Sequence, residues 1–362
     1  MLDEALAARL MRSAAELAMG YEFKVWGFGE EICLDALLYY GRATGDARAT
    51  EFVAGLVRPW CEEKVAAGRA LAYSDHVAPG VVILDLHEAT GDDIYLEAAL
   101  QLGTLYRSFP VVNDVTVHRP DLSGLNHLIW VDCMALDGPF LARLARATGN
   151  KSWSDLAVET TTSYAAALRD DRATLFRHGF DTSTNTKSDC CWARGNGWAM
   201  HGLLDTALEL PGDHPARGKL GEMFAAQVAA VMRLQSEFGH WHTVLDDPTT
   251  PLEASAAAFY AAAVLKARGH GLLDSLEGEA LDNMIERAIA AVVVSAPDGA
   301  LPTSYATPVG MRETYSNAPI GTFPWGQGPL LLTLLLTQLP NKRSNQHETS
   351  SAASGRTGGI TA

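Results

Sequence analysis

Apolar residues recur along this chain at helical rather than strand spacing, and the helical stretches come in pairs joined by a repeated turn. The opening segment, Met1 to Met19, intersperses acids and bases among apolar positions as an amphipathic helix does. Ala43-Thr44-Gly45-Asp46, Ala89-Thr90-Gly91-Asp92 and Ala147-Thr148-Gly149-Asn150 each follow one apolar run and precede another. Pro211-Gly212-Asp213 and Gly269-His270-Gly271 read as weaker copies. Glycine closing one helix and Asp or Asn opening the next is the chemistry of a tight helix–helix turn. The glycines at 45, 91, 149, 212 and 269 lie 46, 58, 63 and 57 residues apart, enough each time for two helices and one longer connection. Five such turns and a last apolar helix over Pro329 to Leu339 predict six hairpins. Closed on themselves, six hairpins make an all-α (α/α)6 toroid, an inner ring of helices inside an outer one. The alternative is an open α-solenoid. Residues 1–340 read as this single domain, and 341–362, rich in Ser, Gly and Thr, as a disordered tail.

The hairpin pattern has a functional consequence. If every tight turn sits on one end of the ring, the longer connections all sit on the other. Roughly one inner helix upstream of each turn lies a polar and aromatic cluster: Trp26 to Glu31, Ser74 to Pro79, Trp130 to Asp137, Trp192 to Trp198 and His240 to Glu253. Phe323-Pro324-Trp325-Gly326-Gln327-Gly328 opens the last helix in the same way. These clusters are expected on a single rim, where the N-termini of the inner helices also point and favour an anion.

Composition narrows the partners. Nearly half of the 362 residues are hydrophobic, and Ala and Leu dominate over β-branched runs, which favours helices. The net charge of −15 argues against nucleic acid or an anionic membrane surface, both of which need basic patches. It leaves room for a small anionic ligand met by one or two local cations. Cys33, Cys61, Cys133, Cys190 and Cys191 show no ligand-like spacing, and adjacent Cys190 and Cys191 do not make a comfortable disulfide. Reduced thiols and a cytoplasmic location follow as expectations. The run Leu330 to Leu339 is too short to cross a bilayer.

The richest chemistry lies between His178 and Trp198. His178-Gly179-Phe180-Asp181 and Trp192-Ala193-Arg194-Gly195-Asn196-Gly197-Trp198 place a histidine, an arginine and two tryptophans among glycines. Tryptophan beside arginine suits a sugar acid, whose ring stacks on indole while its carboxylate takes the guanidinium fork. Arg194 is therefore expected to clamp a carboxylate. Of Trp192 and Trp198, one is expected to stack on the sugar and one to fill the core. Asp132 could cap the helix that follows it or act as a general acid; Asp75 offers the same pair of readings. His178 is either a satisfied structural histidine or a hydrogen-bonding site residue. His240-Trp241-His242 alternates as metal-binding pairs do, but no third ligand stands at a suitable spacing, so no metal is expected. The glycine-rich turns lack a preceding strand and a following Lys-Ser/Thr, so no nucleotide cofactor is expected either.

At Asp75-His76-x-x-Pro79-Gly80, Trp130-Val131-Asp132 with Pro139-Phe140-Leu141-Ala142-Arg143 behind it, His178-Gly179-Phe180-Asp181 and Trp192-Ala193-Arg194-Gly195-x-Gly197-Trp198, the chain resembles the unsaturated rhamnogalacturonyl hydrolases of glycoside hydrolase family 105. It is similar, too, to their relatives, the unsaturated glucuronyl hydrolases of family 88. The resemblance runs from about Trp26 to Trp325 and implies an (α/α)6 barrel acting on lyase-generated oligosaccharides, with a 4,5-unsaturated uronic acid at the non-reducing end. It implies that Asp132 is the general acid/base and Asp75 the second site aspartate. It also implies that His178, Trp192, Arg194 and Trp198 bind the sugar and its carboxylate, with Trp130 and His76 beside them in the matching motifs. No cofactor is implied. Glu30 and Glu31 stand where relatives usually carry a small or amide residue and Gly, and two unpaired acids there would repel an anionic substrate. Lys187 to Cys191 matches nothing in the family pattern. A sugar epimerase or isomerase working through His178, His240 and His242, and a non-catalytic α-solenoid, remain as alternatives.

Overall fold

A computed structural model describes residues 2–25, 27–67, 75–170, 172–276 and 278–339. Trp26, Ser74 and the tail expected over 341–362 lie outside the described residues. Thirteen α-helices are present among the described residues: α1 (Glu4–Met19), α2 (Phe28–Thr44), α3 (Ala47–Ala67), α4 (Gly80–Thr90), α5 (Asp93–Tyr106), α6 (Met134–Thr148), α7 (Lys151–Leu168), α8 (Ala193–Glu209), α9 (Pro215–Met232), α10 (Ala254–Ala267), α11 (Glu279–Ser295), the short α12 (Arg312–Ser316) and α13 (Pro324–Gln338). None is long and apolar enough to cross a membrane.

Twelve of them form the toroid. The helices α2, α4, α6, α8, α10 and α13 pack side by side in that order, and α13 packs back against α2 to close the ring. Each leans on an outer partner: α3, α5, α7, α9, α11 and, for α13, α1. The sixth hairpin is therefore assembled from the two ends of the chain, and closure excludes the open solenoid. Sequence explains which helix goes where. The inner α10 is apolar nearly all round and buried from Ser255 through Val264. The outer α11 buries only Leu281, Met284, Ile285, Ala288, Ala291 and Val292, the stripe of a one-sided helix.

Three turns match the expectation closely. Gly45, Gly91 and Gly149 end their helices in the left-handed region with φ of 77°, 68° and 68°, where a side chain would cost about 1 kcal/mol. The threonine before each glycine donates back to the carbonyl of Tyr40, Leu86 or Leu144. The Asp or Asn after it then accepts from the backbone of the next helix, as Asp92 does from Ile94 and Asn150 from Ser152. The two weaker copies depart from this form. Leu210 ends α8 extended and His214 caps α9, so Gly212 is not a left-handed cap. After Gly269, at φ 78°, the next helix begins only at Glu279.

Among the described residues, the longer connections from α5 to α6, α7 to α8, α9 to α10 and α11 to α13 carry short antiparallel pairings. One of them joins two clusters distant in sequence. Leu128–Trp130 pairs with Gly179–Asp181, with Trp130 opposite Gly179, and the Val131 N–H donates to the His178 carbonyl at 2.9 Å. That pairing carries Asp132 to His178.

Candidate active site

Asp132 sits in a single 3-10 turn, Val131–Cys133, that opens α6. Its side chain caps neither that turn nor the helix. Only 2 % of its surface is exposed, and its Oδ2 lies 3.3 Å from Nε2 of buried His178, a close approach in which neither atom makes a well-aligned hydrogen bond. On the far side of the imidazole, Nδ1 meets the Tyr315 hydroxyl of α12 at 2.9 Å. That hydroxyl oxygen already accepts from the Gly310 N–H at 3.2 Å, which leaves its proton to donate to Nδ1. The tautomer so selected carries its own proton on Nε2, facing Asp132.

Aromatic rings wall this pair. Trp192 lies 4.5 Å from the His178 ring and Trp130 5.7 Å, while His118 stacks flat on Trp130 at 4.1 Å. The indole Nε1 atoms of Trp130 and Trp192 are both buried without a hydrogen-bond partner. Burial holds His118 well below its ordinary pKa, and the neighbouring charges of His76 and Arg119 add to this, so it is neutral. Gly195 makes the packing possible, since a Cβ there would meet both the Trp192 ring and Val131. Asn196 pins the approaching loop by exchanging hydrogen bonds with the Phe176 N–H and carbonyl.

Arg194 is present in this cluster, but not as the expected open clamp. Its guanidinium lies over the Trp192 ring, 4.4 Å from the centroid. Nη1 donates to Ser304 at 2.7 Å and to Glu253 and Ser255 at longer range, and Nη2 to the Tyr305 carbonyl at 3.0 Å. The fork is filled by the protein itself. Its pKa is lowered by burial, against the pull of Glu253 and Asp132. Glu253, the last residue of the His240 to Glu253 cluster, is the buried counter-ion of Arg194.

The remaining expectations divide. Asp75 stands at the margin, 3.4 Å from Arg119, which also forks onto Asp121. His76 is adjacent in sequence but fully turned inward, with Nδ1 2.7 Å from Asp137. Trp198 stands apart from the His178 cluster: its ring packs edge-on against Phe259 at 4.6 Å. Trp192 is thus the tryptophan beside the polar group and Trp198 the one set in the core. Asp181 folds its own turn by accepting from Ser183 and Thr184. His240 meets Ser295 on the outer ring and His242 the Thr250 carbonyl, so neither joins His178.

The two unexpected acids are both paired with backbone. Glu30 accepts from the N–H groups of Lys24 and Val25, each at 2.8 Å, and Glu31 from that of Val81 at 2.7 Å. Burial pushes the Glu31 carboxyl up to about 8, so the acid is largely uncharged near neutrality. Glu31 and Trp198 line a small cavity of about 40 Å³ within the ring, room for two or three waters. Arg143, which pairs with Asp85 and Glu209, and Lys266, which lies 2.8 Å from Asp205, line the same cavity. The Pro79-Gly80 and Pro139-Phe140 motifs belong together for a packing reason: a Cβ on Gly80 would overlap the Phe140 ring.

Sequence reasoning missed Tyr315, His118, Ser304 and Glu253. Their pairings run over tens of residues, and no local pattern marks them.

The sequence profile described as Glycosyl Hydrolase Family 88 matches residues 6–337. The chain is 27 % identical over 315 residues to the unsaturated rhamnogalacturonyl hydrolase YesR of Bacillus subtilis, covering 84 % of this chain and 88 % of that one. Among solved structures it is similar to a possible GH105 member from Salmonella enterica, with a TM-score of 0.80 at 23 % identity over 93 % of this chain and 94 % of that one. The unsaturated glucuronyl hydrolase from Bacillus sp. GL1 shares the fold with a TM-score of 0.66 at 17 % identity, covering 92 % and 96 %. A closed double ring of helices and a profile match over nearly its whole length show that this chain is a glycoside hydrolase belonging to Glycosyl Hydrolase Family 88.

Proposed function

We propose that this enzyme removes a 4,5-unsaturated uronic acid from the non-reducing end of lyase-generated oligosaccharides, as unsaturated rhamnogalacturonyl hydrolases do. The observation that carries this reading is the buried Asp132 Oδ2, which faces only the His178 Nε2 at 3.3 Å, while the Trp130 and Trp192 rings that pack against that imidazole keep buried N–H groups without partners. A buried acid that neither caps a helix nor forms an internal ion pair with a permanent cation is available for proton transfer. Asp132 gives its proton to C4 of the enol ether. Water adds at C5, giving up a proton to the Asp132 carboxylate, which restores the acid. The hemiketal formed at C5 opens, and the hemiacetal left at C1 releases the aglycone sugar. One water is consumed and the protein ends unchanged.

His178 holds the Asp132 carboxylate in place, and Tyr315 sets the His178 tautomer. The Trp192 ring and the N–H groups of Trp130 and Trp192 receive the sugar, and Arg194 acts through Trp192 and the Tyr305 backbone. Asp75, ion-paired with Arg119, is the second site carboxylate of this reading. The substrate is thus a small anionic oligosaccharide. The five buried free thiols support a reducing, cytoplasmic setting. The epimerase reading loses its support because His240 and His242 bond elsewhere. The test is the ultraviolet absorbance of the C4=C5 enol ether on mixing with unsaturated disaccharides. Loss of absorbance with release of the reducing-end sugar supports hydrolysis, whereas interconversion of saturated free sugars without such loss contradicts it.

A further inference from the structure

A second group of titratable side chains lies behind Trp130 and takes no part in the proposed reaction. His76 from the turn before α4, His118 from the connection after α5 and Cys133 from the turn opening α6 are all buried. Their Nε2, Nδ1 and Sγ atoms lie within 4.8 Å of one another. His118 Nδ1 is 3.4 Å from Cys133 Sγ, and Sγ is 3.6 Å from His76 Nε2. A zinc-type ion with bonds of about 2.0–2.1 Å to nitrogen and about 2.3 Å to sulfur gives tetrahedral N···S edges of about 3.5 Å. We propose that His76, His118 and Cys133 form a binding site for a borderline-soft divalent ion, zinc(II) or cobalt(II) in its chemistry.

The surroundings of His76 are the second observation. Asp137, fully buried on α6, holds its Nδ1 at 2.7 Å and is itself fixed by the Tyr164 hydroxyl at 2.9 Å. A carboxylate behind a histidine ligand is the usual support for such a metal, because it fixes ring orientation and strengthens the donor. The backbone of His76 reinforces this by holding an uncommon left-handed φ of 51°. Two nitrogens and one sulfur exclude the oxygen-seeking magnesium and calcium. In the metal-free arrangement His76 Nε2 donates to the Val117 carbonyl at 3.1 Å. Coordination displaces that proton and the Cys133 thiol proton, so a double charge enters as two protons leave.

The inference is independent of the proposed reaction, because binding is read directly. Metal-stripped protein loaded with one equivalent of zinc(II) is examined by X-ray absorption. The expected result is one sulfur at about 2.3 Å and nitrogens at about 2.0 Å; a shell of oxygen and nitrogen alone, or no stoichiometric uptake, overturns the proposal. Cys133→Ser should lose the sulfur scatterer, and Asp137→Asn should weaken the Kd measured by calorimetry about ten- to hundredfold. A sulfur shell that persists in Cys133→Ser places the ion at other cysteines and overturns the proposal. Circular dichroism checks that each variant folds. Should Cys133→Ser fail to fold, the cobalt(II)-loaded wild type decides: a thiolate-to-cobalt charge-transfer band in the near ultraviolet is expected, and its absence at full occupancy overturns the site.

Discussion

The imidazole of His178 stands between two oxygens, 3.3 Å from Asp132 Oδ2 through Nε2 and 2.9 Å from the Tyr315 hydroxyl through Nδ1. Three stretches of chain meet there: the turn opening α6, the connection before α8 and the short α12. The Gly310 N–H occupies the Tyr315 oxygen as acceptor, so the hydroxyl proton points at Nδ1.

Tyr315→Phe removes that donor and leaves the shape. The Nε2–H tautomer is then no longer enforced, and the hold on Asp132 weakens. One lost hydrogen bond of about 1–1.5 kcal/mol corresponds to about a tenfold fall in kcat. KM should stay within about twofold, since no substrate contact is lost. Steady-state kinetics on an unsaturated disaccharide check this, and an unchanged kcat removes Tyr315 from the relay.

Arg194→Lys should act on stability and catalysis together. Lysine keeps a charge opposite Glu253 but cannot also reach Ser304 and the Tyr305 carbonyl while lying over Trp192. The expected result is a Tm lowered by several degrees, with kcat/KM down about tenfold and the loss shared between kcat and KM. Melting curves beside kinetics decide the matter. A raised KM with unchanged kcat and Tm would restore Arg194 as a direct carboxylate clamp.

Glu31 predicts a pH dependence of stability. Its carboxyl, near 4.5 when exposed, is pushed up to about 8 by burial. Between those values the unfolded chain has lost this proton while the folded protein keeps it, so stability falls as pH rises through the interval and levels off above it. The slope from one such group is at most about 1.4 kcal/mol per pH unit. Asp35, raised to about 6 by burial and by the Asp85 charge, acts in the same direction at lower pH. Glu31→Gln should therefore remove this part of the fall from 4.5 up to about 8, leaving the part due to Asp35 below about 6. Denaturant unfolding at several pH values measures it, and a variant with the wild-type slope contradicts the assignment.

Much of the architecture was legible because it rests on local chemistry. The Thr-Gly-Asp turns fix both a left-handed glycine and the next helix cap, and both are written in adjacent residues. The rim followed from their spacing. What the chain did not reveal were partners set by distant pairing. The Trp130–Gly179 register brings Asp132 to His178 across nearly fifty residues, and Tyr315 reaches His178 across 137. Arg194 shows the limit most clearly. Its residue type suited a carboxylate, but the carboxylate it meets is the protein's own Glu253, 59 residues further along the chain. Glu30 and Glu31 erred the other way, since the backbone N–H groups that satisfy them carry no signature in sequence.

Asp132→Asn tests the central claim most directly. The side chain caps no helix, so the amide should cost little stability and leave the ring and the His178 packing in place. An amide cannot donate a proton to C4 or take one from water, and loss of general acid/base function costs about 10² to 10⁴ in rate. The measurement is kcat from the decay of the enol-ether absorbance, taken beside the Tm. A fall of at least about a hundredfold with a Tm within a few degrees of wild type is the predicted result. A variant that keeps more than about a tenth of the wild-type kcat contradicts the assignment and moves the acid to Asp75.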